Sequence, residues 1–158
     1  MRYFPMMVAV AMATGGMTGA KAQEAFDACE VFTQAEAQKA LGGPMEPEPV
    51  NPKARKPRVV STCTWLYKKD AKPASASVTF RFARSEDDAQ RAFDGERLKF
   101  QTKPMLIGGA SAFWSAKLGT LQLLKGRTWV VISVGGDKPA DRDAEASKKV
   151  AEALEPKL

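Results

Sequence analysis

Residues 120–124 and 128–134 are two β-favouring runs separated only by Lys125-Gly126-Arg127. So short a connection forces the chain to turn back, so the two runs pair as antiparallel strands. Gly126 supplies the backbone freedom that a tight turn requires. The second run contains Trp129-Val130-Val131-Ile132, an almost unbroken apolar stretch, as in a central strand covered on both faces. The same logic holds upstream. Residues 59–67 carry Val59, Val60, Thr62, Thr64, Trp65 and Tyr67, all favourable in strands. Lys68 to Pro73 reads as a turn, and residues 76–83 set Val78, Phe80 and Phe82 against Ser77, Thr79 and Arg81. That alternation marks a strand with one buried and one wet face. Ala112-Phe113-Trp114 adds a further short strand.

Three helices punctuate these strands. Residues 31–43 hold Thr33 as N-cap with Glu36 three positions on, a capping box, and Gly42-Gly43-Pro44 as a stop. Ser85 caps a second helix whose first turn, Glu86-Asp87-Asp88, complements the helix dipole. Gly95 weakens the pattern there, so a kink or an end before Phe100 is expected. A final helix runs from about 139–141 to 154. Residues 101–109, with Pro104 and Gly108-Gly109, read as a link. The expected fold is therefore α+β: an antiparallel sheet of about five strands with three helices, in the order α-β-β-α-β-β-β-α, with one disulfide.

The disulfide follows from the N-terminus. Met1-Arg2-Tyr3, an apolar stretch from about residue 4 to 17, and Ala20-Lys21-Ala22 have the form of a secretion signal. Cleavage after Ala22 leaves a single exported domain, 23–158, in the periplasm or secreted. The apolar stretch is short and interrupted by Gly15, Gly16 and Gly19, unlike a spanning helix, and no transmembrane segment is expected in the mature chain. Cys29 follows Phe26-Asp27-Ala28, a poor context for lipid attachment. Two cysteines in a small exported domain normally pair, which makes Cys29–Cys63 a structural bridge. The mature chain is expected to be a monomer.

Charge and composition then narrow the function. The sequence carries 24 Lys+Arg against 18 Asp+Glu. Losing Arg2 and Lys21 with the signal lowers the formal charge from +6 by two. Export argues against a nucleic-acid partner, whereas an anionic envelope surface, an envelope protein or a small ligand is compatible. Residues 44–58 form a loop rich in proline whose second half is basic, with Lys53, Arg55, Lys56 and Arg58. These four, with Phe113, Trp114 and Arg127, form the candidate interaction surface.

Catalytic chemistry has little to draw on. There is no histidine, which removes Ser-His-Asp and Cys-His mechanisms and most zinc, copper and haem sites. No Walker A, GxGxxG, GxSxG or SxxK pattern occurs. The acidic groups Glu86-Asp87-Asp88 and Asp137, Asp141 and Asp143 sit at helix starts, where capping accounts for them, and Glu24, Asp27 and Glu30 lie near the new N-terminus. No catalytic residue, metal site or cofactor is assigned. The expectation is a non-catalytic binding or interaction domain of the bacterial cell envelope. The alternatives are a periplasmic enzyme inhibitor, a small hydrolase using carboxylates, or an envelope-associated structural protein held by its charge.

A set of motifs resembles a family of small exported bacterial domains of unknown function, many of them lipoproteins. They are Cys29-x-x-Phe32-Thr33, Ala40-Leu41-Gly42-Gly43-Pro44, Cys63-Thr-Trp65, Gly109-Ala-Ser-Ala-Phe113-Trp114, and a Leu-x-Leu strand with a Lys125-Gly126 turn. The resemblance spans about residues 29–155. It implies no catalytic residues, and the absence of a lipobox cysteine keeps lipid anchoring from being carried over.

Overall fold

A computed structural model describes residues 26–50 and 60–158. The segment 1–22, expected to be a secretion signal, lies outside the described residues, as do Lys53, Arg55, Lys56 and Arg58. Two short helices open the chain, α1 (Ala28–Val31) and α2 (Gln34–Leu41). Strands β1 (Val60–Lys69) and β2 (Lys72–Phe82) follow, then α3 (Glu86–Lys99). Four strands come next, β3 (Pro104–Ile107), β4 (Ala110–Ser115), β5 (Thr120–Lys125) and β6 (Thr128–Gly135), before α4 (Ala144–Leu154). The fold is α+β, and all strand pairs in its six-stranded sheet, ordered β1-β2-β6-β5-β4-β3, are antiparallel.

Local chemistry sets the element ends. Thr33 Oγ1 accepts the Glu36 amide at 3.3 Å, starting α2, and Gly42 closes it in the left-handed conformation with φ 72°. Ser85 and Asp143 cap α3 and α4 in the same manner, satisfying amides that have no partner within the helix. The β5–β6 turn is Gly126-Arg127, with Gly126 at φ 56°.

The sheet is a partition between two cores. On one face Phe32, Cys63, Trp65, Val78, Phe80, Leu121, Leu123, Val130, Ile132, Val150 and Leu154 pack together, bringing α1, α2 and α4 against the strands. On the other face Ala89 and Phe93 of α3 pack on Phe113, Leu124 and Trp129. Helix α3 therefore crosses the outer face between β2 and the far edge, and the β3-to-β6 meander returns the chain to β2. At roughly 25 cal/mol per Å² of apolar area, the larger inner cluster is the main source of burial energy.

Several expectations need correction. The sheet has six strands, not five, because residues 104–107, read as part of a link, form β3. Among the described residues there are four α-helices, not three, because Asp27 caps an additional turn at 28–31 through the Cys29 amide at 2.8 Å. Helix α3 passes through Gly95 to Lys99 without ending early. There Phe93 anchors it to the sheet, which outweighs the cost of roughly 1 kcal/mol for a helical glycine. The β1–β2 turn is only Asp70-Ala71, both at positive φ, and Pro73 lies inside β2 opposite Lys68. Proline fits there because β6 begins pairing only at Ser75, leaving no ladder bond for its missing N–H. The Cys29–Cys63 disulfide is present. No helix among the described residues is long and apolar enough to cross a membrane.

Candidate interaction surface

Strand register gathers cations at one end of the sheet. Val60, the first described residue after the basic stretch 53–58, pairs with Arg81. Arg81 pairs with Trp129, and the Ala83 amide donates to the Arg127 carbonyl at 3.0 Å. Arg81, Arg84 and Arg127 thus cluster where β1 begins, β2 ends and β6 begins, and all three are exposed. None has an acidic partner within ion-pair distance among the described residues. The Arg81 guanidinium lies 5.0 Å from the Trp129 ring centroid, so a cation–π contact holds it over the sheet. Lys125 is at the same end but is taken up: its Nζ meets Glu155 Oε1 at 2.9 Å. The acidic first turn of α3 flanks the cluster on the β4–β5 side, where Glu86 and Asp87 border Lys125 and Gly126.

The seven residues of the sequence-based surface therefore divide. Arg127 is exposed at the basic end. Lys53, Arg55, Lys56 and Arg58 lie outside the described residues, although the chain places Arg58 two positions before Val60. Phe113 is a correction, for it is fully buried against Phe93 of α3, ring centroids 4.9 Å apart, and cannot contact a partner. Trp114, on the opposite face, is half-buried against the inner core. Sequence reasoning missed Arg81 and Arg84. The pairing of residues 59–67 with 76–83 was the available signal, since any tight hairpin there brings Arg81 next to Val60.

The opposite end of the sheet has a different character. A cleft of about 360 Å³ lies between the end of α2, the β1–β2 hairpin and the first turn of α4. It is lined by Tyr67, Lys68, Lys69, Asp70, Asp143, Glu145 and Lys149 among others. Lys69 Nζ sits 2.7 Å from Asp143 Oδ2, and the other Asp143 oxygen accepts the Ala146 amide at 2.9 Å. The Lys69 hydrogen bond, followed by the Ala146 amide, holds the Asp143 carboxyl below the usual aspartate range. Burial pushes the Tyr67 phenol up. Glu155 is likewise held low, first by Lys125 and then by the Gly109 amide. A general acid near neutral pH needs a raised carboxyl. Both perturbed carboxyls move the other way and serve as fixed anions that tie elements together. No group of three or more metal-ligating side chains occurs among the described residues.

No family model, curated protein or solved structure matches this chain.

Proposed function

We propose that this chain is an exported, non-catalytic binding domain of the bacterial cell envelope. It engages an anionic envelope partner through the end of the sheet formed by Arg81, Arg84 and Arg127. The observation that carries the reading is the convergence of these three exposed arginines, without an acidic partner among the described residues, beside Val60, which follows the basic stretch 53–58 in the sequence. Arginine is weakly hydrated and presents a planar fork of donors suited to carboxylate and phosphate groups. Ladder pairing of Arg81 with Val60 on one side and Trp129 on the other holds the backbone there, so less ordering cost falls on the binding step. The non-catalytic part of the reading is supported by the lack of histidine and by the cysteines being joined.

Vesicle co-sedimentation tests the surface. The chain should bind vesicles containing anionic phospholipid at low ionic strength and ignore purely zwitterionic ones. Binding should fall steeply with salt, since the screening length shrinks to ~8 Å near 0.15 M. Replacing Arg81, Arg84 and Arg127 together by Gln should weaken binding by about tenfold or more while the far-UV spectrum stays unchanged. Absence of binding at low salt, or binding indifferent to the triple substitution, would sink the proposal.

A further inference from the structure

We propose that the arginine end of the sheet docks on a phospholipid leaflet, with Val60 and the Phe26–Phe82 pair entering the headgroup layer among the arginines. This placement rests on the anionic-partner reading and names the partner as a bilayer, as opposed to a protein or a soluble polyanion.

Apolar side chains stand beside the cations at this end. Val60, the first residue of β1, is 42% exposed. Ser61, Cys63 and Trp65 are buried, so alternation puts Val60 on the outer face of the sheet with Thr62 and Thr64. On the inner face the half-buried ring of Phe82, the last residue of β2, meets the half-buried ring of Phe26, centroids 4.8 Å apart. Phe26 also meets Phe80 at 5.0 Å. Arg81 joins the two sides, opposite Val60 in the ladder and next to Phe82 in the chain. Apolar groups flanked by arginines suit the boundary between headgroups and acyl chains. There the apolar atoms leave water while the guanidinium groups stay level with the phosphates. A soluble polyanion would use the arginines and gain nothing from Val60.

The path of the N-terminal segment selects the bilayer as the occupant. The Ala28 amide donates to Ser61 Oγ at 2.9 Å, Cys29 is joined to Cys63, and Trp65 Nε1 donates to the Phe32 carbonyl at 2.8 Å. Farther on, Gly42 and Gly43 line the cleft with Tyr67 to Asp70. The chain therefore begins at the arginine end and runs along β1 to the opposite end, so the segment before Phe26 joins the domain beside Phe82. Eight residues, 18–25, separate the apolar stretch that ends near residue 17 from Phe26. Fully extended they span at most about 29 Å, whereas the eleven residues of β2 extend over about 36 Å. While the expected signal holds the membrane, the arginine end is thus the end within reach of the leaflet. Cleavage after Ala22 leaves three residues before Phe26, which keeps the new α-ammonium, a further cation, within about 11 Å of it.

The opposite end offers no comparable face. Lys69 is paired with Asp143 there, and Asp70 and Glu145 share the cleft with Lys68 and Lys149. At the docking end the acids Glu86 and Asp87 border Lys125 and Gly126, on the β5 side, so contact falls on the β1–β2 corner.

Tryptophans placed at the two ends of β1 test the placement. Val60 and Leu66 share the outer face and are 42% and 41% exposed. The probe is vesicles containing phosphatidylglycerol, with and without bromine on the acyl chains near the headgroups. The protein is the chain as isolated after export, disulfide intact, with the unsubstituted chain as background. Emission from Val60→Trp should shift to the blue on binding and be quenched by the brominated vesicles, and emission from Leu66→Trp should not. Val60→Ser should weaken vesicle binding at least about threefold and leave binding to soluble polyphosphate unchanged. Replacing Arg81, Arg84 and Arg127 together by Gln should weaken both. An unquenched Trp at position 60 in the bound chain, equal quenching from the two positions, or vesicle binding indifferent to Val60→Ser overturns the bilayer docking and leaves the arginine reading standing. A chain that binds no anionic vesicle at low salt overturns both.

Discussion

Phe113 and Trp114 are adjacent in β4 and serve opposite sides of the sheet. Their adjacency alone shows that they part; it does not show that both sides are covered there. Cover on the Phe113 side comes from α3, which reaches it only through the long crossover from β2, a tertiary arrangement with no trace in the local sequence. Phe113→Ala should leave a cavity beneath Phe93 and cost about 3–5 kcal/mol in urea unfolding. Binding to anionic vesicles should not change. Arg127→Gln should do the reverse, shifting stability by less than about 0.5 kcal/mol while weakening binding. Asp70-Ala71 offers a third check. Ala71 sits at φ 63° in a turn whose two central residues are both left-handed. Ala71→Gly relieves that conformation and should raise stability by roughly 0.5–1 kcal/mol, read as a higher urea midpoint.

At the scale of elements, legibility tracked patterning. Strands β2 and β6 announce themselves by alternation or by an apolar run, and α2 and α3 by their caps. Strand β3 has neither signal. Among its four residues only Ile107 is buried, and Pro104 argues against a strand unless its N–H side is free. The link between the β1–β2 hairpin and α4 was equally hidden, because Lys69 and Asp143 are 74 positions apart. That link makes stability depend on pH in a defined way. Asp143 is held low, first by Lys69, so near the ordinary aspartate pKa the folded chain binds fewer protons than the unfolded one. Its contribution is present above that range and disappears as pH falls through the depressed value. Lys69 is raised, chiefly by its hydrogen bond to Asp143. Its contribution is complete below the ordinary lysine pKa of about 10.4 and is lost as pH rises through the raised value. Lys69→Met should flatten both limbs. The loss between them should be about 0.5–1 kcal/mol, because the Lys69 side chain is 52% exposed and solvent screens the pair. Urea midpoints measured across pH for both proteins give the comparison.

Across the whole molecule, Cys29–Cys63 joins the N-terminal helical layer to the sheet across 34 positions. The pairing was legible from the expected export and the cysteine count, but its structural role was not, since it depends on what lies beside it. Helix α1 has only four residues and could not persist alone in water. Three contacts hold it and the Phe32 turn against β1. One is the disulfide, with Cys63 fully buried. The others are the Ala28 amide donating to Ser61 Oγ at 2.9 Å and Trp65 Nε1 donating to the Phe32 carbonyl at 2.8 Å. Closing a loop of this length removes unfolded-chain entropy worth about 4 kcal/mol. That is a large part of the roughly 5–15 kcal/mol by which such domains are stable. Cys29→Ser with Cys63→Ser should therefore lower the melting temperature by about 10–15 °C. Two hydrogen bonds contribute only about 1 kcal/mol each, so they cannot replace the bridge. Hydrogen exchange separates the two ways in which the loss can act. If the bridge works only through the unfolded chain, all protected amides should lose protection alike. If it also pins α1, the Phe32 amide, bonded to Ala28, should exchange faster than those of β6. The four-residue helix and its position at the margin of the core favour the second outcome, with α1 released first and the sheet intact beneath it.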